Sequence, residues 1–159
     1  KNGDLDFLGT VPNPEKRDLG WEEFISGIDA ILMGRNTYDK VLSFGIDWPY
    51  IVPVYVATKS LNQKIIDSEK NIFTISGTPT EMLNELDKNG HKNIYVDGGQ
   101  LITSFAEEKM IDEINISVIP VLLGDGIKLF NKQDSMQEYK LVESKIQLNQ
   151  IISAKWIRK

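Results

Sequence analysis

A chain of 159 residues with a formal net charge of −5 is the length of one ordinary domain, and 41% hydrophobic with 26% charged content is a globular composition. The absence of cysteine excludes disulfides and thiolate metal sites, and the single histidine, His91, is too little for a histidine-rich metal centre, so no metal is expected. The acidic balance, with no basic block, speaks against nucleic acid, and no apolar run reaches the ~20 residues that span a membrane, so the expectation is a cytoplasmic protein without a signal peptide.

Residues 1–17 read as loop, punctuated by Asn2-Gly3 and Pro12-Asn13-Pro14. Lys1 runs straight into a turn signal, so the chain is expected to start inside a longer protein, with an N-terminal strand missing from it. Asp18 is placed to cap a helix over residues 19 to about 27, whose stripe is Trp21, Phe24, Ile25 and Ile28. Ala30-Ile31-Leu32-Met33 has the continuous apolar character of a strand buried on both faces. A helix over about 36–43 follows, then strands at 52–57 and 72–75. Thr78-Pro79-Thr80-Glu81 starts a helix with the stripe Met82, Leu83 and Leu86, ended by Gly90. Further along come a strand at 93–96, a helix at 99–107 and an alternating strand at 113–119. After a glycine-bearing loop at 121–126, strands at 139–147 and 151–157 form a hairpin about Asn149-Gln150. Strands alternating with helices, then an antiparallel pair, predict one α/β domain with a mostly parallel central sheet and antiparallel C-terminal strands.

Two junctions carry the chemistry. Met33-Gly34-Arg35-Asn36-Thr37-Tyr38 and Tyr95-Val96-Asp97-Gly98-Gly99-Gln100 each run from strand through glycine into a helix start. Such a turn leaves backbone N–H groups free to meet an anion, and a pair of them suits a ligand with two phosphates, such as a dinucleotide.

In this order, and together with Val56-Ala57-Thr58-Lys59-Ser60 and the stretch Ile119-Pro120-Val121-Leu122-Leu123-Gly124-Asp125-Gly126-Ile127-Lys128-Leu129-Phe130, these segments resemble the dihydrofolate reductase-like family. The nearest branch is the one related to the C-terminal reductase domain of the bifunctional riboflavin biosynthesis deaminase-reductase. The resemblance implies a three-layer αβα fold, NADPH as cofactor, a small-molecule substrate and a homodimer. It assigns the phosphates to Gly34, Arg35, Asn36 and Thr37, the adenosine 2′-phosphate to Thr58, Lys59 and Ser60, and the pyrophosphate to Asp97, Gly98, Gly99, Gln100 and Leu101. Asp18, followed by Leu19 and Trp21, is similar to the aspartate that pairs with the pterin ring in bacterial dihydrofolate reductases, which makes it the candidate proton source. Its plain alternative is a helix cap. Trp21, Phe24, Tyr38 and Phe44 are candidates to line the substrate cleft, with a core role as the alternative. Two functions follow: an NADPH-dependent reductase of a small heterocycle, of the riboflavin-pathway pyrimidine or the folate kind, or a non-catalytic nucleotide-binding or regulatory module on the same fold.

Overall fold

A computed structural model describes residues 5–58, 67, 69–131 and 133–159. A 3-10 turn at Asp6–Thr10 precedes α1 (Trp21–Ser26), β1 (Ala30–Gly34), α2 (Arg35–Leu42), β2 (Val54–Ala57), β3 (Ile72–Ile75), α3 (Pro79–Lys88), β4 (Ile94–Asp97) and α4 (Gly99–Glu107); β5 (Glu113–Val118), β6 (Tyr139–Gln147) and β7 (Ile151–Arg158) complete it. The strands form a parallel sheet in the order β3-β2-β1-β4 and an antiparallel sheet in the order β5-β7-β6, so the expected single sheet is divided in two. Among the described residues β4 pairs only with β1, and β5 only with β7, which leaves one open edge on each.

The parallel sheet is the core. Alternation along β1 sends Ile31 and Met33 to one face, where they pack with Val54, Val56 and Ile72 of β2 and β3, Ile25 of α1 and Tyr38 of α2. Ala30 and Leu32 face the other way, onto Met82 and Leu86 of α3 and Leu101 and Phe105 of α4. Helices therefore cover both faces, giving the three-layer dihydrofolate reductase-like fold. The carboxylate of Asp29 accepts the N–H groups of Lys92 and Asn93, both at 2.8 Å, and so fixes the start of β4 beside the start of β1.

Helix boundaries follow local chemistry. α1 starts at Trp21, two residues after the predicted start, because Leu19 (φ 58°) and Gly20 (φ 89°) are both left-handed. α3 carries a full capping box: the Thr78 hydroxyl accepts the Glu81 N–H, the Glu81 carboxylate accepts the Thr78 N–H, and Pro79 sits in the first turn. The β6–β7 turn is centred on Leu148 and Asn149, both at positive φ, one residue earlier than the predicted Asn149-Gln150.

In the antiparallel sheet, register sorts the side chains into unlike faces. Val118, Ile152 and Ile146 lie in one cross-strand row, Ile114, Trp156 and Leu141 in another, and Ile116, Ala154 and Ser144 between them. The opposite face holds Ser117 and Ser153, hydroxyl to hydroxyl at 2.8 Å, and the ion pairs Lys155–Glu113 and Lys145–Glu143. Gln147 turns this polar side toward the rest of the molecule by donating to the Leu19 carbonyl at 3.0 Å.

Candidate functional site

The chain changes direction between β1 and β4. From β1 it crosses through α2, on the Ile31 face, to β2; from β4 it enters α4, on the Ala30 face. Ligands in open α/β sheets bind in the crevice at the carboxyl ends of strands where the order reverses in this way. Here those ends are Gly34 and Asp97-Gly98.

The two glycine turns touch. A Cβ on Gly98 (φ 104°) would stand 2.6 Å from Thr37 Oγ1 and 3.5 Å from the Gly34 nitrogen, and a Cβ on Gly34 would stand 3.8 Å from the Asp97 carbonyl oxygen. A side chain is thus excluded at Gly98, while one on Gly34 would meet only ordinary contacts, and the starts of α2 and α4 come together. Neither helix has a side-chain cap, whereas α3, away from this crevice, has a complete one. The first-turn N–H groups of α2 and α4 accordingly lack both an intrahelical and a capping acceptor, which is the electrostatic setting for a phosphate.

The other predicted cofactor residues divide. Asn36 and Gln100 are exposed at the starts of α2 and α4, and Thr37 is the side chain wedged against Gly98. Arg35 donates from Nε to both carboxylate oxygens of Asp39 at 2.9 Å and lies 6.0 Å from the Tyr38 ring centroid, so its charge is shared along α2. Gly99 faces the Lys128 carbonyl, 3.8 Å from where a Cβ would be, which brings the loop after β5 beside α4. Leu101 is buried in the core with Phe105. Thr58 donates its N–H to the Ile75 carbonyl at 2.9 Å, ending the β2–β3 pairing, while Lys59 and Ser60 lie outside the described residues.

Asp18 is exposed, and its two oxygens accept the N–H groups of Gly20 (3.2 Å) and Glu22 (2.9 Å). These bonds hold its carboxyl below the usual carboxylate range, so it stands as the cap of α1. It also borders an open groove of about 380 Å³ with Arg17, Lys145 and Gln147. Asp97 is the reverse case. Burial pushes its carboxyl up, against the opposing pull of the Gly98 N–H and the Tyr95 hydroxyl. Burial, helped by the Asp97 charge, likewise raises the hydroxyl of Tyr50 to about 12, and that of Tyr95 higher still.

Aromatic rings adjoin this acid. Phe24 and Tyr95 meet edge to face with centroids 5.1 Å apart, Trp21 lies 6.1 Å from both Tyr95 and Tyr50, and Trp48 lies 5.1 Å from Tyr50. Of the predicted cleft residues, Trp21 and Phe24 belong to this cluster and Tyr38 joins it through Trp48 at 5.9 Å. Phe44 stands apart, half exposed, with the Lys40 ammonium 5.7 Å from its ring. Sequence reasoning did not single out Tyr50, Trp48 or the burial of Asp97. One signal was present: an acid closing an apolar strand, two residues after a tyrosine and therefore on the same face. His91 is partly buried, with Nε2 3.1 Å from the Tyr55 hydroxyl.

Among the described residues no cluster of metal-ligating side chains and no helix long and apolar enough to cross a membrane is present. Residues 20–153 match the RibD C-terminal domain family model. The crystal structure of a Shewanella sp. PV-4 protein named for riboflavin biosynthesis is 36% identical, with a TM-score of 0.94 over 100% of this chain and 90% of that one. YwjB of Bacillus subtilis, whose name assigns no activity, is 29% identical over 99% of this chain and 88% of its own. A pyrimidine reductase-like protein of Corynebacterium diphtheriae shares the fold at a TM-score of 0.69 and 15% identity, over 96% of this chain and 86% of that one. A sheet crevice closed by two touching glycine turns is thus found in a chain that, on this match, belongs to the RibD C-terminal domain family.

Proposed function

We propose that this protein is an NADPH-dependent reductase of a pyrimidine of the riboflavin-pathway type. The observation that carries the reading is the meeting of Gly34 and Gly98, which sets two uncapped helix starts side by side with no room for a Cβ on Gly98. Gly34, Asn36, Thr37, Gly98, Gly99 and Gln100 would hold the phosphates, with Arg35 adding charge. The motif Thr58-Lys59-Ser60 would receive the 2′-phosphate that distinguishes NADPH from NADH.

Reduction of a C=N or C=O bond adds a hydride to carbon and a proton to nitrogen or oxygen, and the bound cofactor supplies the hydride. A side chain that holds a proton beside the acceptor would supply the rest. Asp97 suits that task better than Asp18, because burial favours its protonated form, whereas backbone N–H bonds keep Asp18 ionised. Tyr95 holds the Asp97 carboxyl through its hydroxyl, and Trp21, Phe24 and Tyr50 limit water at that end of β4. The ion pair of Arg35 with Asp39 favours the second reading, a nucleotide-binding module without turnover, since it draws positive charge away from the phosphate cradle.

Calorimetric titration with NADPH and NADH, followed by absorbance at 340 nm with a pyrimidine substrate, tests both. Micromolar NADPH binding with turnover is expected, and no binding at millimolar cofactor would sink the proposal. Binding without turnover would leave the regulatory reading. Lys59→Ala is expected to weaken NADPH, but not NADH, by roughly 10- to 100-fold, the value of one charge-assisted phosphate contact. Asp97→Asn is expected to lower turnover about 100-fold or more with cofactor affinity kept. Asp18→Asn, which caps as well as aspartate, is expected to leave turnover intact.

A further inference from the structure

The loop between α2 and β2 returns to the carboxyl ends of the sheet. After α2 the chain turns at Gly45 (φ 65°), and Trp48 packs back on Tyr38, near the start of that helix, with ring centroids 5.9 Å apart. Tyr50 follows, its ring 5.1 Å from Trp48 and 6.1 Å from Trp21. Trp21 lies at the same 6.1 Å from Tyr95, so a tyrosine stands on either side of it. The two hydroxyls differ in what they do. That of Tyr95 is spent on the Asp97 carboxyl, whereas that of Tyr50 forms no hydrogen bond among the described residues. Burial, with the Asp97 charge nearby, pushes the Tyr50 hydroxyl up to about 12, so it keeps its proton and is available as a donor. The indole N–H of Trp48, on the adjoining ring, is buried and likewise without an acceptor among the described residues.

We infer that Tyr50 is a substrate-recognition residue, whose hydroxyl donates to a ring carbonyl of a flat heterocycle lying against Trp21 beside Asp97. The inference rests on the pyrimidine reading above and adds to it the group that selects an oxo-substituted ring. Acceptor oxygen is what this end of the cluster is short of, since two donors on neighbouring rings are unpaired and an unpaired donor costs free energy once a ligand covers it. Trp21, Trp48, Tyr50, Tyr95 and Asp97 are each only partly buried, so the group reaches the surface. Aromatic faces suit a flat ring, and a phenol beside them supplies the polar contact that fixes its orientation. A ring without the carbonyl would cover the hydroxyl and leave it unpaired, which is how a hydrogen-bonding site rejects an analogue that lacks the partner group.

Quenching of tryptophan fluorescence tests this on the full protein without cofactor, because Trp21 and Trp48 both adjoin Tyr50. The probes are 5,6-diaminouracil, which carries ring carbonyls, and 4,5-diaminopyrimidine, the corresponding ring without them. Wild type is expected to bind the diaminouracil about tenfold or more tightly than the diaminopyrimidine. Tyr50→Phe, which keeps the ring and drops the hydroxyl, is expected to lose that preference, with far-UV circular dichroism and affinity for the diaminopyrimidine unchanged. Equal affinity of wild type for the two probes overturns the inference, a comparison that needs no variant to fold. So does an undiminished preference in folded Tyr50→Phe, or the lack of saturable quenching by millimolar diaminouracil. Cofactor enters neither arm, so failure of the protein to bind NADPH would sink the reductase reading and leave this result standing.

Discussion

The two sheets of this molecule meet water differently. In β3-β2-β1-β4, residues 31–33, Val54 and Val56 have no measurable exposure, while in β5-β7-β6 most apolar residues remain half exposed. Connectivity accounts for the difference. Parallel strands need crossovers, and the crossover helices cover both faces of the sheet; an antiparallel hairpin needs only a two-residue turn and brings no helix with it. The first sheet is therefore finished by its own chain, and its carboxyl ends hold the two glycine turns of the candidate site. The second has one face turned to the molecule and one exposed to solvent.

The largest test of that contrast is a pair of truncations. Leu32→Ala, in the closed core between β1 and α4, is expected to cost about 2–5 kcal/mol in urea unfolding. Ile146→Ala, measured at high dilution, is expected to cost under about 1 kcal/mol. Equal losses would break the distinction. Next in size is Gly98→Ala, where the new Cβ meets Thr37 Oγ1 and φ is 104°. A destabilisation of about 1–3 kcal/mol is expected, together with weaker NADPH binding. Adding Thr37→Ala should return only the part due to the clash, since the backbone strain remains, and full recovery would mean that φ costs nothing here.

Asp97→Asn sharpens the comparison through pH. The folded carboxyl keeps its proton above the ordinary value of 3.8, so in that range the folded state binds more protons than the unfolded one, and stability falls as pH rises through it. The variant is therefore expected to melt higher than wild type at neutral pH, with no difference once both states are protonated in strong acid. A lower melting temperature at pH 7 would contradict burial as the cause. A modest effect is expected at Thr78→Ala, which removes the hydroxyl from the α3 capping box at a cost of about 1 kcal/mol, read as a shift in melting temperature. It also tests the reading of α2 and α4, because only the capped helix should depend on its own side chain at that end.

Most elements were legible in the chain because periodicity and punctuation are local. The apolar run at 30–33, the Thr78-Pro79 start of α3 and the alternation at 113–118 all match the strands and helices observed. Boundaries moved where one residue's backbone decided them, as the left-handed Leu19 and Gly20 delayed α1. The glycine turns at 34 and 98 were also legible, since glycine between strand and helix is itself the signal. The acid was not. Asp18 and Asp97 look alike in a sequence, and what separates them is solvent: one caps an exposed helix, the other is enclosed near Tyr95 and Tyr50.

By itself the sequence determined the alternation of strands and helices, the two glycine turns between strand and helix and the absence of cysteine chemistry, because each rests on residue types and short spacings, while the αβα fold came through the resemblance to the dihydrofolate reductase-like family. Only the tertiary structure decided that the turns touch through Gly98 and Thr37, that the strands divide into two sheets, and that one apolar face lies open. Those are matters of distance and solvent exposure between segments far apart in the chain, and neither is encoded at any one position.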